Sequence, residues 1–355
     1  MIKGLKSPAL LFLLRKAGFY AATFIVALTF VWLIPRLMPG DPIRQLVSEI
    51  LVGAGQGGEQ TAAVGTTQFT AKQAELLYKY YVAKFGLDKP PHIQYLLMFY
   101  RIFTGDMGMS IKFQPETVLN VVLRALPWSL ILLIPATITA WIIGNLLGAY
   151  AAYKGGKVDN IVYSIFLFLS QMPYYWFALV LIYALSIKFR LFPAAGAYSV
   201  GAVPTFTWSF FVDFLQHYTL PFLSLVLIAL GGQAIGMRTM TIYELNSDYM
   251  DYSESIGLSD RKLIRYAFRN AILPQITGLA IHLGRTVSGQ IVTETVFGYP
   301  GIGYIIYQAI LNADYPLIEG AFTVLIISVL SMNFLMDILY AYIDPRIKAA
   351  YTRER

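Results

Sequence analysis

The sequence predicts an all-α, polytopic membrane protein with six transmembrane helices. Of its 355 residues, 57% are hydrophobic and only 13% are charged, and the mean hydropathy is +0.59. Stretches such as "LILLIPATITAWIIGNLLGAYAAY" (Leu130–Tyr153) contain no charged residue. A helix needs roughly 20 mostly apolar residues to cross a bilayer, whereas barrel strands are about half that length and alternate in polarity.

Six apolar runs reach this length. They are about Ala17–Ile34, Leu126–Tyr153, Ile161–Ile187, Tyr218–Arg238, Ile272–Phe297 and Gly320–Ile343. The alternative, that one or two of these runs are buried helices of a large soluble domain, is disfavoured because stretches such as Leu130–Tyr153 carry no charge at all. The first run also resembles a secretory signal, but "PRLMPGDP" comes after it where a small-residue cleavage site would stand, so we expect it to remain as an anchor.

The distribution of basic residues predicts the topology. Lys3, Lys6, Arg15 and Lys16 precede the first span, and Arg346, Lys348, Arg353 and Arg355 follow the last. Because basic residues are retained on the cytoplasmic side, both termini are predicted to be cytoplasmic. The loop Gly298–Glu319 has no Lys or Arg and is assigned to the other side. The predicted location is the inner (cytoplasmic) membrane.

Four parts succeed one another along the predicted chain. They are the cytoplasmic N-terminus with the first span (1–34), an extracytoplasmic helical region with a flexible insertion (35–125), a five-helix permease core (126–343) and a cytoplasmic tail (344–355). The core includes a charged loop, 244–271, between the fourth and fifth spans.

The extracytoplasmic region is too long for a simple loop. Asp41 is placed to cap one helix, and "TAKQ" (Thr70–Gln73) has the form of a capping box before another, which Gly86 ends. Between them, Gly53–Gly65 has the glycine-rich composition of a flexible linker. A further amphipathic helix is predicted after Pro90.

The charged loop between the fourth and fifth spans is too polar for the bilayer. From Glu244 to Asn270 it carries the acids Glu244, Asp248, Asp251, Glu254 and Asp260 and the bases Arg261, Lys262, Arg265 and Arg269. Burying these charges in lipid, at about 2.5 to 3.5 kcal/mol each, would cost about 20 to 30 kcal/mol. Gly257 interrupts the loop, Ser259 can cap a second helix, and Pro274 disfavours helix at Leu273. Two short helices joined at Gly257 are predicted on the cytoplasmic side.

The second of these helices is predicted to be amphipathic. Arg261, Arg265 and Arg269 recur at four-residue spacing and share one face. The opposite, apolar face is formed by Leu263, Ile264, Ala267, Phe268 and Ala271. One face therefore suits a protein or membrane surface, and the other suits water or an acidic partner. An ordinary connector resting on lipid headgroups remains the alternative.

The segment "ELNSDYMDYSESIGLSDRKLIRYAFRNAILPQI" (Glu244–Ile276) resembles the cytoplasmic loop of permease subunits of binding-protein-dependent ABC importers, in the variant of dipeptide and oligopeptide permeases. The likeness extends over most of the chain through further motifs that stand in the same order as in the family: "PGDP", "RALPWSLIL", "SQMPYYWFAL", "ETVFGYPGIG", "NADYPLIEG" and "DPRIK". The chain resembles the first of the two permease subunits in such an importer. Departures are Ser253–Ser255, where the family often has alanine-rich residues, and Gly53–Phe85, which resembles an insertion.

The resemblance implies a subunit that forms half of a translocation pathway for di- or oligopeptides. The partners that it implies are a second, similar permease, two ATPase subunits and an extracytoplasmic solute-binding protein. The chain is also expected to contact membrane lipid and to bind no nucleic acid. The charged loop would be a coupling helix that docks on an ATPase subunit. The residues expected to form or shape that contact are Tyr252, Ser253, Glu254, Ser255, Gly257, Leu258, Arg261 and Arg265.

The sequence contains no nucleotide-binding loop of the form G-x-x-x-x-G-K-[ST]. The nearest segment, "KGGKVD" (Lys154–Asp159), lacks the leading glycine and has Val158 in the Ser or Thr position. We therefore expect a transport subunit that is not an enzyme and binds no cofactor, with ATP and Mg²⁺ held by partner subunits. H-E-x-x-H and G-x-S-x-G are also absent, which disfavours an intramembrane hydrolase.

Polar residues within the spans are candidates for the substrate path, because ionisable groups at membrane depth are functional or internally paired. The candidates are Gln171, Met172, His282, Arg285, Ser288, Gln290 and Glu294. Arg285 would meet a peptide carboxylate and Glu294 an amine. The alternative for Arg285 is pairing with an acid or a backbone carbonyl inside the bundle, and for Ser288 close helix packing is favoured over a role in the path. Gln171 and Met172 precede Pro173, where a helix would bend.

Other functions remain open at this point. Oligosaccharides are the alternative substrate within the family. Nickel is disfavoured as a substrate because the chain has only three, scattered histidines and no cysteine. A secondary transporter or a channel would also carry polar groups in its spans, but it would not need the charged helix pair. The Gly53–Phe85 insertion is a hypothetical docking site for a binding protein or a shield for the outer gate.

Overall fold

The computed structural model describes residues 8–37, 40–56, 71–286 and 291–343. Regular structure in these residues is helical, apart from an isolated antiparallel bridge between Met109 and Thr117. The α-helices are α1 (Pro8–Leu37), α2 (Pro42–Gln56), α3 (Ala71–Phe85), α4 (Pro91–Thr104), α5 (Val118–Lys154), α6 (Gly156–Gln171), α7 (Tyr174–Leu181), α8 (Trp208–Leu245), α9 (Asp248–Ser255), α10 (Asp260–Thr286), α11 (Ile291–Val296), α12 (Ile302–Leu311) and α13 (Tyr315–Ile343).

Four of these helices are long and apolar enough to cross a membrane. They are α1, α5, α8 and α13, and each contains one of the predicted spans. The bent pair α6 and α7 gives a fifth if it is counted as one span. The remaining predicted span, 272–297, falls on the end of α10 and on α11, and 287–290 lie outside the described residues. The all-α membrane fold is confirmed, and the number six stays a prediction.

The third predicted span is not a straight helix. Helices α6 and α7 meet at an angle of 100°, and between them Met172 is extended, with φ −75° and ψ 133°. The helical region is sterically disfavoured for a residue before proline, which agrees with the extended conformation of Met172 before Pro173. A π-helical segment, Ile182–Lys188, continues α7. The bend suggested by the sequence is therefore present at Gln171–Pro173.

The prediction that Pro274 ends the second helix of the charged loop was wrong. Helix α10 runs without interruption from Asp260 to Thr286, with Pro274 inside it. Proline removes only one backbone hydrogen bond, to the carbonyl of Asn270, and neighbouring helices of a membrane bundle can compensate for that loss. The loop therefore has one short helix, α9, and one long helix.

Contacts group the described residues into two compact units. One contains the residues up to Leu126 together with Ile305–Leu330, and the other contains Pro127–Tyr304 together with the described residues from Ser331 onward. Each unit has its own buried apolar cluster.

The first unit confirms several of the helix ends predicted within residues 35–125. Asp41 Oδ1 accepts hydrogen bonds from the backbone N–H groups of Ile43 (3.0 Å) and Arg44 (3.2 Å) at the start of α2. Helix α3 ends at Gly86, whose φ is +73°. The predicted linker at Gly53–Gly65 is partly wrong, because α2 continues to Gln56; the rest of that linker lies outside the described residues. Ile43 and Val47 of α2 and Phe85 of α3 form a buried cluster together with Ile111, which follows α4.

Two polar networks fix the start of α13 in the first unit. Asp314 is fully buried and accepts hydrogen bonds from Ser110 Oγ (2.5 Å), from Lys112 N (2.9 Å) and, at the first turn of α13, from Leu317 N (3.1 Å). One turn further on, Glu319 pairs with Arg36 of α1 at 2.6 Å. The Arg36 guanidinium also donates to Gln94 Oε1 of α4. These side chains join α1, α4 and α13 within this unit.

The second unit is packed closely around α8. Its buried cluster includes Leu132, Leu220, Phe297 and Tyr299. A Cβ at Gly148 of α5 would collide with the backbone carbonyl of Ala234 in α8. Small residues let membrane helices approach at backbone distance, so α5 and α8 are held in one close arrangement.

Candidate coupling hairpin and translocation path

The charged loop forms a helical hairpin, defined here as residues 244–271, the coupling hairpin. Helix α9 ends in a turn in which Gly257 N donates to Glu254 O (2.9 Å) and Leu258 N donates to Ser253 O (3.2 Å). Gly257 has φ +78°, a left-handed conformation that ends helices and that glycine adopts without steric cost. Ser259 then precedes α10, and its carbonyl accepts from Lys262 N and Leu263 N. The predicted turn at Gly257 is confirmed.

A small apolar core closes the hairpin. Met250 of α9 packs against Leu263 and Ala267 of α10, with Leu245 and Leu258 beside them. Leu258, predicted as a docking residue, is half-buried and contributes to this core. The two helices of the hairpin are therefore held together by apolar contacts within this chain.

The tip of the hairpin exposes large side chains. Tyr252 is 67% exposed and Ile256 is 59% exposed, and Glu254 and Ser255 beside them are also exposed. Ser253 differs, because its side chain is buried and its hydroxyl donates to Tyr249 O at 2.6 Å. Ser253 therefore supports the tip from inside, and Ile256, which was not among the predicted contact residues, belongs to the exposed surface.

Helix α10 has the two faces that its sequence predicts. Arg261, Arg265 and Arg269 are all exposed, and within the described part of the chain none of the three forms an ion pair. On the other face, Leu263, Ala267 and Ala271 are buried. The arginines thus lie on the outer surface of the hairpin and are available to an acidic surface.

A polar network at Tyr249 ties the hairpin to the end of α8. Tyr249 Oη donates to Glu244 Oε2 at 2.6 Å and accepts from Asn270 Nδ2 at 2.9 Å. Burial raises the pKa of Tyr249, and its hydrogen bond to Glu244 raises it further. No pattern in the sequence marked this residue, because its two partners lie on different helices and are brought together only by the turn at Gly257.

The hairpin continues into the helices of its unit. Ala149 of α5, Met237 of α8 and Ala271 of α10 form a buried cluster with Met240, Phe268 and Ile272 around it. Trp141 Nε1 of α5 donates to the carbonyl of Gln275 in α10 at 3.0 Å. A displacement of the hairpin would therefore be passed directly to α5 and α8.

Glu294 does not lie open to a path in this structure. Its carboxylate is fully buried and accepts hydrogen bonds from Ser129 Oγ (2.6 Å), Gly303 N (2.7 Å) and Tyr304 N (3.4 Å). It caps the start of α12, and a Cβ at Gly301 would collide with it. The "ETVFGYPGIG" pattern is thus explained by an internal carboxylate cap, with glycines where the carboxylate needs space.

The other predicted path residues are placed unevenly. Gln171 is exposed and Met172 is half-buried at the bend between α6 and α7. His282 and Arg285 lie on α10, but only their helical backbone is described. Ser288 and Gln290 lie outside the described residues. Of the seven candidate path residues, Glu294 is buried by its own hydrogen-bond partners. A role of the other six in the path stays a prediction.

Long apolar helices and a bent helix pair indicate a multi-pass membrane protein. Residues 144–349, more than half of the chain, match the family described as binding-protein-dependent transport system inner membrane component. The chain belongs to this family and is an inner-membrane component of such a transport system. The predicted family is therefore confirmed.

Similar proteins match over nearly the whole chain. The dipeptide transport system permease protein DppB of Escherichia coli (strain K12) is 29% identical over 95% of this chain and 98% of its own length. The di/tripeptide transport system permease protein DppB of Pseudomonas aeruginosa (strain UCBPP-PA14) has the same identity and coverage. The oligopeptide transport system permease protein AppB of Bacillus subtilis (strain 168) is 29% identical over 89% of this chain and 99% of its own.

Proposed function

We propose that this chain is a permease subunit of an ABC importer and forms half of a translocation pathway for di- or oligopeptides. The observation that carries this proposal is the similarity, over 89% to 95% of the chain, to permeases named for dipeptides, di/tripeptides and oligopeptides. The coupling hairpin supports an ATP-driven mechanism, because it presents an exposed, preformed surface on a rigid base.

The hairpin docks on an ATPase subunit through Tyr252, Glu254, Ser255 and Ile256. Aromatic and aliphatic side chains that become buried at an interface supply most of its binding free energy. Arg261 and Arg265 lie beside this surface and meet acidic groups of the ATPase or lipid headgroups, and Ser253 and Gly257 set the shape of the tip. Switching a two-state gate from 1:99 to 99:1 requires about 5.5 kcal/mol of differential binding, which nucleotide-driven closure of the ATPases supplies through this contact.

The remaining subunits are implied by this role. The chain pairs with a second, similar permease and with two ATPase subunits that bind ATP and Mg²⁺, while a solute-binding protein delivers the peptide on the outer side. This chain has no nucleotide-binding loop in its sequence and carries out no hydrolysis itself. Both termini and the hairpin lie in the cytoplasm, and α2 to α4 lie outside, where they meet the binding protein.

Peptides are favoured over the other substrates because the similar permeases are named for peptides. The experiment is reconstitution of the complete transporter in proteoliposomes, followed by uptake of radiolabelled dipeptide, oligopeptide, maltooligosaccharide and nickel. We expect ATP-dependent uptake of at least one peptide and none of the others. Uptake of only the sugar or the metal would overturn the substrate assignment, and uptake without ATPase subunits would overturn the ABC mechanism.

A further inference from the structure

A partly buried ion pair joins two helices close to the base of the coupling hairpin. Asp159 is near the start of α6, and Arg238 is in α8. The guanidinium donates from Nε to Asp159 Oδ1 at 2.6 Å and from Nη2 to Oδ2 at 2.5 Å. The two side chains are only 23% (Arg238) and 12% (Asp159) exposed. Two parallel hydrogen bonds of this kind fix the orientation of both partners as well as their distance.

The pair is surrounded by further contacts that restrict it. The Arg238 guanidinium lies over the ring of Tyr163, one turn further along α6, at 4.6 Å from the ring centroid. A Cβ at Gly231 of α8 would lie only 2.6 Å from Phe166 O of α6. Close backbone packing keeps the two helices together, and the ion pair determines how far one can slide along the other.

Arg238 and the first residues of the hairpin lie on the same helix, α8. Helix α8 continues without a break from Arg238 to Leu245, about two turns or ~10 Å further on. Leu245 packs in the apolar core of the hairpin. Movement of the hairpin therefore moves Arg238.

Asp159 belongs to the element that carries the bend. Helix α6 ends at Gln171, and the chain turns by 100° into α7. We infer that the Asp159–Arg238 ion pair is the joint that passes movement of the hairpin from α8 to the bent pair α6 and α7. The two side chains are positioning residues for transport, and this role rests on the proposed function.

The first test measures ATP hydrolysis and uptake in the complete reconstituted transporter. Asp159→Asn should lower the amount transported per ATP by about tenfold, because hydrolysis continues while α6 no longer moves with α8. The charge exchange Asp159→Arg with Arg238→Asp should restore most of that ratio. The control Glu116→Gln breaks the exposed Glu116–Arg124 pair and should leave the ratio unchanged. Because the ratio is independent of the amount of folded protein, an unchanged ratio in Asp159→Asn would overturn the inference.

The second test measures a distance and does not depend on the transported molecule. The chain has no cysteine, so spin labels can be placed at Lys157→Cys on α6 and Lys262→Cys on α10, both exposed. With the joint intact, the distance should remain constant with and without ATP. In Asp159→Asn it should change when ATP is added, and in the charge exchange it should again be constant. Equal responses with and without Asp159 would overturn the joint.

The two tests separate the joint from the proposed function. Suppose that the distance is constant in the unmodified chain and altered in Asp159→Asn, but that no peptide is taken up. This result would refute the peptide assignment and support the role of the ion pair as a joint. If peptide uptake is normal and Asp159→Asn transports as much peptide per ATP as the unmodified chain, the joint is refuted and the proposed function is supported.

Discussion

Ser129 and Glu294 are joined by a hydrogen bond of 2.6 Å between Oγ and Oε1, although they are far apart in the sequence. Ser129 Oγ also accepts from Ile302 N at 2.8 Å, and Glu294 accepts from Gly303 N. The two side chains together satisfy the first N–H groups of α12, which have no partner within the helix. A serine in α5 and a carboxylate in α11 therefore cap the first turn of α12.

Removing the serine should destabilise the chain. Ser129→Ala leaves Glu294 Oε1 and Ile302 N without a partner in a buried place, which costs about 1 to 3 kcal/mol. A lower melting temperature of the detergent-purified chain would be the expected result. The control Ser164→Ala removes an exposed hydroxyl that bonds only to its own helix and should melt like the unmodified chain. Equal melting of both variants would contradict the role of Ser129.

The close contact between α5 and α8 predicts opposite effects for two glycines. Gly148→Ala forces a methyl group into the backbone of Ala234, which cannot move without separating the helices, so a loss of about 1 to 3 kcal/mol is expected. Gly232→Ala, in α8, meets nothing within 4 Å and should gain up to about 1 kcal/mol from helix propensity. Thermal unfolding of both variants in detergent measures the difference. The reverse order of melting temperatures would refute the packing.

The buried carboxyl of Asp314 predicts a pH dependence of stability. Burial raises the pKa of Asp314 above its ordinary 3.8, and the bonds from Lys112 N and Ser110 oppose this shift only in part. Between the ordinary and the raised value the folded chain binds more protons than the unfolded chain, so the free energy of unfolding falls as pH rises through that window and is constant above it. Asp314→Asn cannot titrate and should lose this part of the dependence.

Melting temperatures from about pH 4 to about pH 8 measure the effect of Asp314→Asn, and the difference between the two profiles isolates this one group. The unmodified chain should lose more stability with rising pH than the variant does. Parallel profiles would show that Asp314 does not titrate differently in the folded chain.

The sequence was sufficient to predict features that depend on local chemistry. Gly257 marked the turn of the hairpin, and Asp41 and Gly86 marked helix ends that the structure confirms. These signals are local because a glycine with positive φ or a capping carboxylate acts within a few residues of itself. The location of the hairpin outside the bilayer, predicted from its nine charges, stays a prediction.

Features that depend on distant partners were missed. Glu294 looked like a path residue, since its partner Ser129 and the surrounding Gly301 and Gly303 become neighbours only after folding. Pro274 was expected to end a helix, but its local effect was outweighed by the packing of α10 in the bundle. The Asp159–Arg238 pair gave no signal, because each charge could equally belong to a cytoplasmic loop.

The turn of the coupling hairpin predicts a separation of hydrolysis from uptake. Gly257→Val places a β-branched residue at φ +78°, which costs about 1 to 2 kcal/mol or more, although nothing lies within 4 Å of the added Cβ. The penalty therefore acts on the backbone of the tip alone. We expect ATP hydrolysis to continue while uptake falls, and Gly257→Asn, which tolerates this conformation, to transport nearly normally. Normal coupling in Gly257→Val would contradict the role of the turn.

Docking of the hairpin tip on an ATPase subunit is tested most directly by the reactivity of a single cysteine. Ile256→Cys in this cysteine-free chain is exposed in the isolated subunit and should react rapidly with a maleimide in detergent. When the ATPase subunits are added, its reaction should slow by about tenfold or more, as expected for a site buried in an interface, while Lys89→Cys, exposed between α3 and α4, should react as before. An unchanged rate at Ile256→Cys in the assembled transporter would contradict the account.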